Sequence, residues 1–449
     1  MNQIELIGFK AIVLDLLHSD KRSLAWELLD HLFHKAISLE EFDTLGQLCL
    51  ETDYRDLHFK CAEMAHGVAF TSEQKRSSRN NLISAYLAMN HPEKAEVLVD
   101  IQLAQTPTDY NSLTQKAACL SLTNRKDEGE KIILDLLPKF PDKEKELQSM
   151  LSGKYLREGK LTHGVRVFVE AFKPHHKMFE QELRMKRWDG IPRPGRTLYV
   201  DGEGGIGDEI INIRFFEKVK QLGMNPVLFS HDNKFYRDKN NLFRRHGYSV
   251  QTESITINKN EFWIPMMSFP AVLNLEEKDL WNGTYLKPLR DPKNKIDSTR
   301  FKIGIKCSGN PYFAQDEYRK IPIETMLEYL PENADIYYID KLKVNHPRVT
   351  DLADRIDSWE DTLDLIDQMD CIVSSCTSLV HAAGAIGKTT FVVVPIAEYY
   401  IWTTSRRDHS SPWYGDNFHV MKQITPRDWN QPLSEVSDYV HKLMENSID

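Results

Sequence analysis

Two hydrophobic periods divide this chain. Up to about residue 185 apolar residues recur at helical spacing, and strand signal is almost absent. Beyond it, short apolar runs alternate with amphipathic stretches. They predict strands at 198–201, 225–230, 261–266, 301–307, 335–340, 370–374 and 390–394. Several runs are continuously apolar, such as Phe391-Val392-Val393-Val394, as in a parallel sheet covered on both faces. A Pro/Gly-rich linker, Trp188-Asp189-Gly190-Ile191-Pro192-Arg193-Pro194-Gly195, separates the two regimes. A polar stretch, Arg290–Arg300, then interrupts the second regime, and Phe301-Lys302-Ile303-Gly304-Ile305 opens a new unit. The pattern therefore predicts an α-helical part at 1–185 and two α/β parts at 196–290 and 300–440. Two doubly wound units in tandem leave a cleft, with ligands at the carboxyl ends of the strands.

The helical part also repeats. The run Asn81-Leu82-Ile83-Ser84-Ala85-Tyr86, followed by Pro92-Glu93-Lys94-Ala95, resembles a tetratricopeptide repeat. Tyr86 recurs as Leu120 and Tyr155, at spacings of 34 and 35. Ala95 recurs as Gly129 and Gly164 at the same spacings, and going backward as Cys61 and Ala25, at 34 and 36. A period near 34 is the tetratricopeptide value. The small residue belongs where the two helices of a pair cross, because a large side chain there would force them apart. About five helix pairs are expected. Such arrays present a groove to a peptide or protein; a scaffold that only braces the next domain is the other expectation.

Charge and cysteines narrow the class. The 449 residues carry a net charge of −9, so bulk attraction to nucleic acid or anionic lipid is not expected. The six cysteines (49, 61, 119, 307, 371 and 376) include no C-x-x-C and read as reduced core thiols of a cytoplasmic protein. Neither a secretory signal nor an apolar run of membrane-spanning length is seen.

Two strand–helix turns carry the candidate chemistry. In the first, the apolar run Cys371-Ile372-Val373 leads through Ser374-Ser375-Cys376 to a helix starting near Thr377 and rich in Ala and Gly. A helix start leaves free N–H groups at the positive end of its dipole, the outline of a phosphate site. In the second, Leu198-Tyr199-Val200-Asp201 runs into Gly202-Glu203-Gly204-Gly205-Ile206-Gly207-Asp208-Glu209 and another helix. The glycines allow positive φ and close approach. Their spacing fits neither the dinucleotide fingerprint nor the P-loop. Asp208 stands at the mouth of this turn, placed either as a general base or as a cap on the helix that follows.

Taken together, seven motifs recur in this order in bacterial tetratricopeptide proteins whose C-terminal half resembles the glycosyltransferase family 9 heptosyltransferases. They are Trp188-Asp189-Gly190, Gly205-Ile206-Gly207-Asp208, Ser308-Gly309-Asn310-Pro311, Arg319-Lys320-Ile321-Pro322, Asp361-Thr362, Thr377–Ala385 and Ser411-Pro412-Trp413-Tyr414. The resemblance implies an α + α/β chain: a tetratricopeptide-like array, then a GT-B fold of two Rossmann-like domains, acceptor first and donor second. It implies inverting transfer from a nucleotide-sugar, which serves as co-substrate, with no metal and no resident cofactor. Asp208 matches the acid that deprotonates the acceptor, beside the acceptor-side glycines Gly204, Gly205 and Gly207. Thr377, Ser378 and Leu379 match the loop holding the donor diphosphate, and His381 the histidine beside it. Ser308, Gly309 and Asn310 match a loop after the first donor-domain strand, and Arg319 or Lys320 a cation for the leaving diphosphate. Such roles cohere, since inverting transfer needs a base on one side and charge stabilisation on the other.

Two positions depart from the family pattern: Cys376 stands where it has Asp, and Gly204 where it has Gln. The leading expectation is a glycosyltransferase acting on a glycan or protein acceptor. The alternative is a non-catalytic binding or scaffold protein with the same fold, which Cys376 favours. Bland readings stand beside several site residues: a core histidine for His381, a solvated pair for Arg319 and Lys320, a packed corner for Trp413 and Tyr414, and a capping box for Ser358-x-x-Asp361. A gap wide enough for a sugar is expected between Asp208 and the 377–381 loop.

Overall fold

The computed structural model describes residues 3–19, 21–52, 54–170, 179, 183–230, 234–252, 261–293, 295–310 and 316–446. It divides into two compact units. The first comprises Met1–Lys139 with the short segments Asn310–Tyr318 and Ile424–Arg427, and the second Phe140–Gly309, Arg319–Gln423 and Asp428–Asp449.

The first unit is a helical array. Its pairs are Gln3–His18 with Arg22–Lys35, Leu39–Glu51 with Arg55–Val68, Ser72–Ala88 with Pro92–Gln105, and Tyr110–Leu122 with Lys126–Leu136. A further pair, Ser152–Arg157 with Leu161–Glu170, belongs to the second unit. Helical structure thus runs past the end of the first unit, and most of 171–185 lies outside the described residues. Local chemistry starts and stops each helix. Ser38 with Glu41 and Thr71 with Gln74 form capping boxes, and Asp109 accepts from the Ser112 amide. Within the pairs a recurring turn sets the register. Its N–H reaches back five residues, from Tyr54 to the Cys49 carbonyl and from His91 to Tyr86, both at 2.8 Å, and from Arg125 to Leu120 and Lys160 to Tyr155, both at 2.9 Å. Asn90, Asn124 and Gly159 take the left-handed conformation in three of these turns, with φ of 57°, 60° and 73°. So the Tyr86, Leu120 and Tyr155 position repeats for a main-chain reason as well as for packing.

The small-residue register holds. Ala25, Cys61 and Ala95 are fully buried, each on the second helix of its pair, and Gly129 and Gly164 are buried at the same place. A Cβ on Gly129 would lie 2.7 Å from the Ala117 carbonyl oxygen, and one on Gly164 2.7 Å from Leu156 Cγ. Gly129→Leu is therefore expected to destabilise the array by ~1–3 kcal/mol through overpacking, read as an earlier urea midpoint; unchanged melting would contradict this crossing. The two short segments are tied to the same unit. The Tyr318 hydroxyl donates to the Leu87 carbonyl, and Arg427 bonds the Asn90 carbonyl and, at 2.8 Å, Glu93.

The second unit holds two sheets. Their strands are β1 (Lys186–Arg187), β2 (Thr197–Asp201), β3 (Asn225–Phe229), β4 (Val250–Gln251), β5 (Phe262–Pro265), β6 (Lys302–Lys306), β7 (Asp335–Tyr338), β8 (Val349–Asp351), β9 (Cys371–Ser375), β10 (Thr390–Val394) and β11 (Phe418–Lys422). Among the described residues the nine pairings between these strands are all parallel. The larger sheet runs β8-β7-β6-β9-β10-β11, the doubly wound dinucleotide-fold order, with its switch point between β6 and β9. The smaller runs β4-β3-β2-β5-β1, half of that order with β1 added at the edge, and switches between β2 and β5. Two Rossmann-like domains in tandem after a helical array make this an α + α/β chain with a GT-B arrangement. Strands β9 and β10 are buried along their whole length, as their apolar runs require. The seven expected strands are present; β1, β4, β8 and β11 were not legible.

Among the described residues no helix is long and apolar enough to cross a membrane. Cys49, Cys61, Cys119, Cys307 and Cys371 are buried free thiols, and Cys376 is partly exposed.

Candidate functional site

Both candidate turns stand at the carboxyl ends of strands beside the switch points. In the smaller sheet β2 ends at Asp201, and the chain turns through Gly202–Gly205 into the helix Ile206–Asn212. The glycines do different jobs. Of those in this turn, Gly204 alone has positive φ, +81°, and a Cβ on it would strike the Asp208 carboxylate at 2.6 Å. Gly207 is small for another reason. A Cβ there would lie 2.7 Å from His381 Cδ2 and 3.5 Å from Ser378 Cα. The helix Ile206–Asn212 therefore packs against the start of helix Ser378–Ala385, and one apolar core runs through both. No gap separates the turns at Gly207. The exposed surface beside it is formed by Gly204 and Gly205, with Asp208, Ser378, Cys376 and Arg319 partly exposed.

Asp208 does two things at once. Its Oδ2 accepts the Gly205 amide at 2.7 Å, capping its own helix. Its carboxyl is also held at an unusual pKa, raised from 3.8 to about 6. Burial is the main cause; the Gly205 amide, a hydrogen bond from the Tyr399 hydroxyl and the positive charge of Arg319 pull the other way, while Glu203 adds repulsion. Tyr399 follows β10 on the larger sheet, and its hydroxyl lies 3.1 Å from Met267 Sδ.

The other turn follows β9. Thr377 is the N-cap of helix Ser378–Ala385, yet its hydroxyl does not cap. It lies 3.4 Å from the Ser374 hydroxyl instead. Ser374 is in turn anchored to the Lys306 carbonyl at 2.9 Å, across the β6–β9 switch point. The N–H groups of Ser378 and Leu379 accordingly have no acceptor among the described residues, which leaves the positive end of the dipole unanswered. Arg319 donates to the Cys376 carbonyl at 2.8 Å. It lies close enough to lower the pKa of both Asp208 and His381.

His381 is packed rather than solvated. Its ring stacks on Trp402, with centroids 5.3 Å apart and planes 10° from parallel. Its Nδ1 lies 2.6 Å from the Tyr414 hydroxyl. Burial first, then the charges of Arg214 and Arg319, push its pKa down to about 3, so the ring is neutral. Trp413 and Tyr414 form a buried corner, and Ser358 with Asp361 a capping box.

Thus Gly204, Gly205, Gly207, Asp208, Arg319, Thr377, Ser378, Leu379 and His381 come together. The remaining candidates do not visibly join them. Ser308 and Gly309 follow β6, with Ser308 close enough to Tyr338 on the β7 side to bear on its pKa. Asn310 is exposed and opens the segment grouped with the array, and Pro311 lies outside the described residues. Lys320 is exposed. Sequence reasoning missed Tyr399 and Arg214, which chain folding brings in from outside the motifs, and gave no role to Glu203 inside the glycine turn. Among the described residues no group of three or more His, Cys, Asp or Glu side chains is gathered as metal ligands are.

No family model and no curated protein matches this chain. Among solved structures, a mutant of the Thermobaculum terrenum O-GlcNAc transferase is similar, with 12% sequence identity over 99% of this chain and 94% of that chain and a TM-score of 0.41. A likeness at that score carries no weight here. The fold rests on the strand order above, and the site on its own geometry.

Proposed function

We propose that this chain is a metal-independent, inverting glycosyltransferase of hexosyl or heptosyl type. It takes a sugar from a nucleotide-sugar, its co-substrate, to a glycan or protein acceptor selected in part by the helical array. The setting proposed is cytoplasmic. One observation carries the reading: a carboxyl poised near pKa 6 and an uncapped helix start lie on two helices that touch at Gly207, with Arg319 acting on both turns.

The chemistry follows from the charges. The donor diphosphate would take the Ser378 and Leu379 amides, with Arg319 neutralising it. Asp208 would accept the proton of the acceptor hydroxyl as that oxygen bonds to the anomeric carbon. The bond from that carbon to the phosphate oxygen breaks on the opposite face, and its electron pair leaves with the diphosphate. Charge stabilisation by amides and a guanidinium is the largest contribution such a site can make.

Cys376 supports the second reading, a binding or scaffold protein. It stands in the donor turn at the position where the family this chain resembles has a carboxylate. The experiment is a melting series with UDP-, GDP-, ADP- and dTDP-sugars, followed by a transfer assay. The expected result is stabilisation by one nucleotide, by roughly 2.7 kcal/mol at a hundredfold excess over Kd, with sugar release from the same donor. Binding without turnover would favour the scaffold reading, and no binding at all would remove the donor site.

A further inference from the structure

Behind the site a guanidinium, a phenol and an imidazole form a row. Arg214 is immobilised at every edge. Its Nε donates to the Ile211 carbonyl at 2.7 Å, Nη1 to the Trp413 and Leu280 carbonyls at 2.6 and 3.1 Å, and Nη2 to the Tyr285 hydroxyl at 3.0 Å. Its charge sits 5.0 Å from the Tyr414 ring centroid. Tyr414 cannot swing away. It stacks on Phe418 at 4.1 Å, and a Cβ on the underlying Gly384 would meet its ring at 2.5 Å. Its hydroxyl reaches His381 Nδ1 at 2.6 Å, and the stack on Trp402 fixes the imidazole plane.

We infer that Arg214 and Tyr414 are positioning residues that lock His381 as its Nε2–H tautomer, so that the imidazole offers one fixed donor to a phosphoryl oxygen at the start of helix Ser378–Ala385. The Tyr414 hydroxyl has no other acceptor among the described residues, so its proton goes to Nδ1, while Arg214 lies over the ring and holds the phenol in place. Nδ1 is then the acceptor, and a neutral imidazole with Nδ1 accepting carries its proton on Nε2. That nitrogen has no partner among the described residues, and the ring edge bearing it lies against Gly207, next to Ser378. His381 is 7% exposed, and its Nε2 is not among the buried atoms left without a partner, so that edge stays open to an incoming anion. The positive field of Arg214 and Arg319 at the ring selects an anion over a neutral group. The relay also explains Gly207: a methyl there would push the ring off Tyr414.

This inference rests on the proposed donor site, and its test separates the two. Nitrogen NMR of the whole protein labelled at histidine, with His381 assigned by the signal lost in His381→Gln, reads the tautomer directly. The expected result is a protonated Nε2 and an unprotonated Nδ1 at neutral pH. In Tyr414→Phe the tautomer preference should be lost, and the affinity for inorganic pyrophosphate and the preferred nucleoside diphosphate should fall about three- to tenfold. A wild-type ring protonated on Nδ1 overturns the relay whether or not any nucleotide binds. An Nε2–H tautomer with unchanged pyrophosphate affinity in Tyr414→Phe and in His381→Phe overturns the ligand role. Absence of pyrophosphate and nucleotide binding by the wild type overturns the donor-site reading and the ligand role together, and the tautomer still decides the relay.

Discussion

Asp208→Asn is expected to cut turnover by ~10²–10⁴-fold, the usual worth of a general base, and to make the protein more stable. Both effects have one origin. Burial raises the Asp208 pKa to about 6, above the ordinary 3.8, so the folded state favours the protonated form. The folded protein binds more protons than the unfolded chain between those values, and stability falls as pH rises through the window. Asn keeps an acceptor for the Gly205 amide and for Tyr399 but never ionises. Its melting temperature should exceed the wild type at about pH 8 and approach it near pH 4. The wild-type kcat/KM should lose activity on the acid side with an apparent pKa of about 6. The same exchange separates base from cap, since Asn still caps a helix. An active Asn variant would sink the base role and leave the fold untouched. Nucleotide affinity should barely move, because the carboxylate would face the acceptor.

What the sequence made legible was local. The seven expected strands show as apolar runs, the array as a small residue returning near every 34 positions, and the two turns as glycine and hydroxyl clusters between strand and helix. What it hid depends on tertiary approach. Strands β1 and β4 have two residues each and β8 three, too few for any period. In β11, His419 and Lys422 break the apolar run. Gly207 looked like a conformational glycine, yet its φ is not positive, and its smallness serves contact with His381. Thr377 looked like a helix cap, but Ser374 takes its hydroxyl and the amides stay open. Tyr399 lies far along the chain from Asp208, and nothing in the spacing of an aromatic pair after a strand says which carboxyl it will meet. Arg214 likewise looks like an ordinary helix-surface residue until three aromatic rings close around it.

The largest loss of stability is expected from Lys239→Met, by ~3–5 kcal/mol. Lys239 and Glu209 form an ion pair with side chains 0% and 1% exposed, and Lys239 also donates to the Ser230 hydroxyl at 2.9 Å. The pair sits under the glycine turn: a Cβ on Gly202 would meet Glu209 Oε1 at 2.7 Å. Glu209 adjoins Asp208, so the pair fixes the floor from which the candidate base projects. Burial already raises the Glu209 pKa and lowers that of Lys239. Removing the lysine leaves a carboxylate with no counter-charge, and its pKa rises further. A folded pKa above the unfolded value means stability is lost as pH rises through it. The deficit of Lys239→Met, read from urea midpoints, should therefore be greatest near pH 9 and shrink toward pH 5 as Glu209 takes up a proton. Glu209→Gln added to Lys239→Met removes the stranded charge and should restore most of the loss, a coupling that separates electrostatics from packing. A deficit that is the same at both pH values, or a double variant no better than the single, would place the cause in lost packing around the lysine stem instead of in the pair.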